Sequence, residues 1–349
     1  MFQEVDTSAA ANAVWAAAPA VLSKYNEQST YALPFAPVAY IWLHLLDRYA
    51  RAWRALEVLV RQRCLPLAKY GVRVLDVGTG PGPTAFAVHD FYQALVKFSE
   101  AEGITALNQP PEVHCVEYDH NTNHLRHNLA ELVRIAAGEP SQDAVLSLCG
   151  ALPDFRSIYP SRERPATFRA LHNEEESYYD EIAGGMEWVP RYTAQEAHQI
   201  AQSLYRYRLF IFSNFLTTGG TVETFEGNLS DLLSDAGAGS IMLVLGGMGG
   251  EYPTIYDYMD RLAGTAGFER RIENQIVSSA ETVLSDLVYE EGRRFYEHLQ
   301  SLSWNEDAAL AVIHRHFGAD RTASPKTCVR AYRKNGRQRS AGRLTKRCT

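Results

Sequence analysis

Apolar residues in this chain fall into two rhythms. Short, mostly apolar runs at 72–77, 144–149, 209–213 and 239–245 read as buried strands, and 112–119 reads as another that ends in carboxylates. Residues 268–277 alternate weakly, as an edge strand does, and 327–333 fit a last strand paired antiparallel. Helical spacing lies between these runs, at 84–96, 121–137, 193–207, 221–236 and 252–266. A long helix over 38–64 precedes them, with Ile41, Leu45, Tyr49, Trp53, Leu56 and Val60 on one core-facing stripe. Its Arg48, Arg51, Arg54, Arg61 and Arg63 are expected on a solvated basic face, with a binding surface for an anionic substrate as the alternative. Strand and helix in alternation predict an α/β fold with a mostly parallel sheet.

Chemistry concentrates where the first strand ends. Asp76 lies inside the strand end, Gly78, Thr79, Gly80 and Gly82 form the turn, and Pro83 opens the next helix. Such a turn lets backbone approach a ligand closely and points helix-start N–H groups at it. A dinucleotide loop wants a third glycine where this chain has Pro83. Asp76 would also repel a diphosphate, whereas it would attract a cation. Glu117 closes the second strand, where a carboxylate can accept both hydroxyls of a ribose.

The Asp76-x-Gly78-x-Gly80-x-Gly82 loop with Glu117 resembles the class I S-adenosylmethionine-dependent methyltransferases. The resemblance covers roughly residues 38–333 and implies a Rossmann-like seven-stranded sheet with a helical N-terminal segment and insertions. It implies that Asp76 and the glycine loop hold the aminoacyl-sulfonium end of S-adenosylmethionine. Glu117 would hold the ribose, Tyr118 would be a further cofactor contact, and Gly150 and Ala151 would lie on the adenine side, Asp154 being the nearest carboxylate there. Ser213 and Asn214 would lie near the methionine moiety and the methyl acceptor. Asn214-Phe215 partly echoes the Asn-Pro-Pro-Tyr motif of some amine methylators. Tyr25, Tyr31 and Tyr40 become lid candidates over the cleft. The expected organisation is a lid segment over 1–70, a methyltransferase domain over 71–333 with insertions at 151–205 and 281–318, and a basic, disordered tail over 334–349.

Charge bears on the acceptor. The net charge is −7, but residues 321–349 hold ten Lys/Arg and no Asp/Glu, which leaves residues 1–320 at −17. An acidic body lacks the basic face of a nucleic-acid enzyme, so a small-molecule acceptor is expected. RNA stays open as an acceptor. Tyr31-x-x-Pro34 followed by the glycine loop also resembles a ribosomal-RNA methyltransferase family, whose cysteine clusters this chain lacks. A non-catalytic scaffold with this fold and a nicotinamide dehydrogenase are the other rivals.

The acidic insertion around Glu174–Glu181 could cap a substrate or lie as a surface loop, and Thr193 with Glu196 forms a capping-box pattern. His114, His120, His124 and His127 show no clear fourth ligand, so no metal is expected. The five cysteines show no paired spacing, and no run is long and apolar enough to span a bilayer. A cytoplasmic protein is the expectation.

Overall fold

Strand β1 (Arg73–Val77) lies in the interior of a seven-stranded sheet, flanked by two strands that both follow it in the chain. In this computed structural model, residues 35–68, 71–104, 110–117, 146–149, 175–180, 184–196, 206–214, 219–278 and 326–336 are described, with a few single positions between them. In chain order the elements are α1 (Ala36–Arg61), β1, α2 (Pro83–Ala101), β2 (Glu112–Val116), β3 (Leu146–Cys149), β4 (Glu175–Asp180) and β5 (Gly185–Pro190). Then come β6 (Leu209–Ser213), α3 (Gly219–Ser234), β7 (Ile241–Gly246), α4 (Tyr252–Thr265), β8 (Phe268–Ser278) and β9 (Lys326–Lys334).

The sheet runs β3-β2-β1-β6-β7-β9-β8. β3, β2, β1, β6 and β7 pair in parallel, and β9 runs antiparallel between β7 and β8. With the separate β4–β5 ribbon set aside, the sheet has the seven strands that the resemblance implied. Each strand expected from an apolar run is present within a few residues of its place, and β6 falls on residues 209–213 as read.

Period-two alternation sends strand side chains to two separate cores. Leu75, Val77, Phe210, Phe212, Met242 and Val244 face one way and pack with Leu229, Leu233, Ile255 and Met259 of α3 and α4. Val74, Leu209, Ile211, Ile241 and Leu243 face the other way, against α1 and α2. Both faces are therefore covered, which is why these strands read as continuous apolar runs rather than alternating ones. The edge strand β8 buries Phe268, Ile272 and Val277 but turns Glu269, Arg270, Arg271 and Glu273 outward. Charges along that side discourage pairing with another chain.

Helix α1 corrects the expected stripe. Its buried seam is Ala39, Ala50, Ala52, Ala55, Leu56, Val58 and Leu59, while Val60 is 43% exposed and Tyr49 and Trp53 flank the seam. Alanines let α1 lie close along α2, and the larger residues pack at the margins: the Trp53 ring meets Phe91 edge-on at 5.0 Å. Hydrophobic spacing alone picked the large side chains and passed over the small ones. The basic face is corrected in part too. Arg51 pairs with Asp47 and donates to Thr327 Oγ1 at 3.0 Å, and Arg54 pairs with Glu57; only the helix end, at Arg61 and Arg63, is solvated.

The acidic insertion contains structure that the sequence reading did not assign. β4 and β5 form an antiparallel ribbon from Glu175↔Pro190 to Asp180↔Gly185. The capping box that follows is present, with Thr193 N and Oγ1 both donating to Glu196 Oε2 at 2.9 Å. The helical reading over 121–137, all of 197–205, nearly all of the insertion at 281–318 and most of the tail lie outside the described residues. Among the described residues no helix is long and apolar enough to cross a membrane.

Candidate functional site

The site is assembled at the carboxyl ends of three adjacent strands. Val77 of β1 is level with Val116 of β2 and with Phe212 of β6. The next residues, Gly78, Glu117 and Ser213, therefore form one row across the three strand tips, with neighbours roughly 4.8 Å apart. The β1/β6 boundary is where the chain order of the strands reverses, the place where open α/β sheets bind ligands.

The glycine turn has the conformation its sequence demands. Gly78, Gly80 and Gly82 all have left-handed backbone, at φ 67, 56 and 96, which side-chain-bearing residues seldom adopt. Gly78 and Thr79 both donate N–H to Val116 O, at 2.9 and 3.1 Å, which fastens the loop to the end of β2. Phe86 N then donates to Gly82 O at 2.9 Å, the first bond of α2, with Pro83 in its first turn.

Two carboxylates converge on this loop. Asp76 is fully buried, and Thr79 Oγ1 donates to its Oδ2 at 2.6 Å. Glu117 Oε2 accepts the Gly80 N–H at 2.7 Å, so the ends of two strands are locked to one another through the turn. Placing two carboxylates this close to one loop suits a ligand that carries positive charge and offers hydroxyl groups. Tyr40 of α1 reaches the same loop, its Cε1 lying 4.0 Å from where a Cβ on Gly80 would stand. Its ring sits edge-on to His44 at 5.1 Å and under the Arg48 guanidinium at 4.7 Å.

Beyond Ser213 the chain turns sharply at Asn214, a non-glycine residue at φ 52 whose N–H donates to Leu245 O at 2.9 Å. Its Oδ1 accepts the Tyr252 hydroxyl at 3.1 Å, and its Nδ2 leans toward Ser213 Oγ at 3.4 Å. A small pocket opens there, lined by Phe212, Asn214, Val244, Leu245, Tyr252 and Tyr256 among others. Behind it the Tyr256 hydroxyl donates to Gly247 O at 2.8 Å, and the Arg330 guanidinium stacks over its ring at 4.4 Å. Burial, foremost, pushes the Tyr256 hydroxyl well above the usual tyrosine range. Burial likewise raises the neighbouring Cys328 thiol.

Asp76, Gly78, Thr79, Gly80, Gly82, Glu117, Ser213 and Asn214 thus come together at the carboxyl ends of β1, β2 and β6, with Tyr40 beside them. Tyr118, Gly150, Ala151, Tyr25 and Tyr31 lie outside the described residues. The sequence reading missed Tyr252 and Tyr256. Their signal was present: a Gly246-Gly247 pair ends a buried strand, and two tyrosines follow one turn apart on the next helix. Of the four histidines, His114 sits in β2 and bonds Tyr207 Oη at 2.7 Å and Glu112 at 2.5 Å. Among the described residues no group of His, Cys, Asp or Glu is placed to hold a metal.

No protein-family model matches the chain, and no curated protein matches it. Among solved structures it is similar to a phosphoethanolamine N-methyltransferase 2 of Haemonchus contortus, at 14% identity and a TM-score of 0.35 over 91% of this chain and 60% of that one. It is also similar to a precorrin-6y C5,15-methyltransferase from Geobacter metallireducens, at 8% identity and a TM-score of 0.34, over 80% of this chain and 87% of that one. A third is a SAM-dependent methyltransferase from Geobacter sulfurreducens in complex with S-adenosyl-L-homocysteine, at 12% identity and a TM-score of 0.33, over 81% and 91%. Strand order and the contacts at the strand tips, rather than these distant likenesses, bear on function.

Proposed function

We propose that this chain transfers a methyl group from S-adenosylmethionine to a small-molecule acceptor. One observation carries the reading: Glu117 accepts the N–H of Gly80, which ties the glycine turn after β1 to the tip of β2 beside the switch point of the sheet. The residues fit the cofactor. Buried Asp76 matches an ammonium, Glu117 matches ribose hydroxyls, and the left-handed glycines leave room for close approach. The cofactor, when bound, supplies an electrophilic methyl carbon on a sulfonium.

The chain's own part is positioning. Ser213 and Asn214 orient polar groups at the β6 tip, Tyr40 closes over the loop, and the apolar walls of Phe212 and Val244 exclude water. Aligning the two reactants in a dry cleft supplies most of the rate in an in-line displacement, so a nucleophilic side chain is not required. The acidic body of the chain supports a neutral or cationic small acceptor over a polyanion.

Calorimetric titration with S-adenosylhomocysteine, with NAD as control, tests this. Binding of the first alone, weakened by roughly 1–3 kcal/mol in Asp76→Ala, supports the reading. No heat from the first, or binding of NAD, sinks it in favour of a scaffold or a dehydrogenase.

A further inference from the structure

We infer that Tyr252 is a positioning residue, which turns the Asn214 amide so that its NH2 end meets the carboxylate of the cofactor's amino-acid moiety. The inference deepens the methyl-transfer reading and rests on it. An asparagine amide has an acceptor at one end and two donors at the other, and its role depends on which end faces the ligand. Here Oδ1 is taken by the Tyr252 hydroxyl at 3.1 Å. The NH2 end is turned toward Ser213, which stands in the same row as Gly78 and Glu117.

The tyrosine is itself held. A Cβ on Gly246 would lie 2.4 Å from Tyr252 Cε1, and one on Gly247 would lie 2.7 Å from Cδ2. The ring therefore rests directly against two bare backbones, a fit that no larger residue at 246 or 247 allows. Tyr256 backs it with ring centroids 5.9 Å apart, and Tyr256 is tied to Gly247 O. The strained turn at Asn214, anchored on Leu245 O, fixes the base of the amide while Tyr252 fixes its tip.

The charge pattern then selects the ligand group. An α-amino acid carries an ammonium and a carboxylate a few ångströms apart. Asp76, on β1, suits the ammonium and repels the carboxylate. Asn214 lies just past the end of the adjacent strand and offers neutral donors, so the two strand tips are matched to the two ends of one zwitterion.

The test is calorimetry with S-adenosylhomocysteine, and with 5′-methylthioadenosine, which lacks the amino-acid end. In Tyr252→Phe, which keeps the ring against the glycines, affinity for the first falls roughly 3–10-fold while affinity for the second and the melting temperature hold. Asn214→Asp, which sets a carboxylate against a carboxylate, costs the first ligand more than about tenfold. Adding Tyr252→Phe to Asn214→Ala costs nothing further, because the tyrosine acts through the amide. Wild-type affinity for S-adenosylhomocysteine in Tyr252→Phe, tighter binding by Asn214→Asp, or additive losses overturn the inference and leave methyl transfer standing. Absence of binding by the wild-type chain removes both.

Discussion

Glu117 and Gly80 lie 37 residues apart in sequence, yet the glutamate's Oε2 accepts the glycine's N–H at 2.7 Å. The bond gives Glu117 two separable duties, bracing the turn and presenting charge to a ligand. In Glu117→Gln the amide oxygen can still take the Gly80 N–H, so the turn holds and only the charge is lost. Glu117→Ala loses both. We expect affinity for S-adenosylhomocysteine to fall in the order wild type, Gln, Ala, with Ala weaker than wild type by roughly 1–3 kcal/mol. Thermal melting should separate the two variants, since only Ala loses the brace. Equal melting temperatures with equal affinities would show that the bond to Gly80 does no work.

Gly246→Ala should cost about 1–3 kcal/mol, as overpacking does. Its new methyl meets Tyr252 Cε1 at 2.4 Å and the Tyr256 hydroxyl at 2.7 Å, so the rings must move. Chemical denaturation measures the loss. Gly249→Ala, three residues on, meets nothing within 4 Å and is the matched control.

Ala55→Leu tests the seam of α1. Ala55 is fully buried between α1 and its neighbours, whereas Val60 is 43% exposed. Ala55→Leu should destabilise by about 1–3 kcal/mol, and Val60→Ser should stay within about 0.5 kcal/mol. The opposite ranking in a urea melt would restore the stripe that spacing alone suggested.

Asp260 accepts from Tyr332 Oη at 2.6 Å and from Arg330 at 3.0 Å, and Arg330 also donates to Asn274 Oδ1 at 2.6 Å. These bonds join α4, β8 and β9. Asp260→Ala strands the Arg330 charge, only 8% exposed, and should lower stability by about 2–3 kcal/mol by denaturant titration.

Glu112 predicts an acid limb of stability. Burial alone would raise its carboxyl, but the hydrogen bond with His114 and the charge of Arg73 outweigh it and hold the group below its ordinary value of 4.5. A carboxylate depressed in the folded state stabilises above its unfolded pKa, and that stability is lost as pH falls through the folded value. Melting temperature should therefore drop below about pH 4.5, and Glu112→Gln should flatten that drop. The side chain is 39% exposed, so solvent screening keeps the effect small.

The sheet was legible because strands buried on both faces announce themselves as apolar runs, and β6 did so to the residue. The glycine turn was legible because three left-handed positions in five residues leave glycine almost no substitute. The α1 seam was not, since alanine carries little weight in a hydrophobic pattern although it sets how near two helices lie. The β4–β5 ribbon hid because Glu175, Ser177 and Glu187 face solvent and give no apolar rhythm to read. Tyr252 hid for another reason. Its partner Asn214 is 38 residues away, and only folding reveals that the glycines at 246 and 247 are a seat for its ring.

Strand β9 sits between β7 and β8 and pairs with both, yet it begins 48 positions after β8 ends. On the ribosome, β7 and β8 emerge with a gap between them and wait for this strand, for some seconds at ordinary elongation rates of about 5–20 residues per second. During that wait each shows an open row of backbone donors and acceptors, the invitation to intermolecular pairing that the finished sheet withdraws. A chain halted before residue 326 would keep both rows bare, so premature termination or cleavage in that interval should yield inclusion bodies rather than a shorter soluble domain.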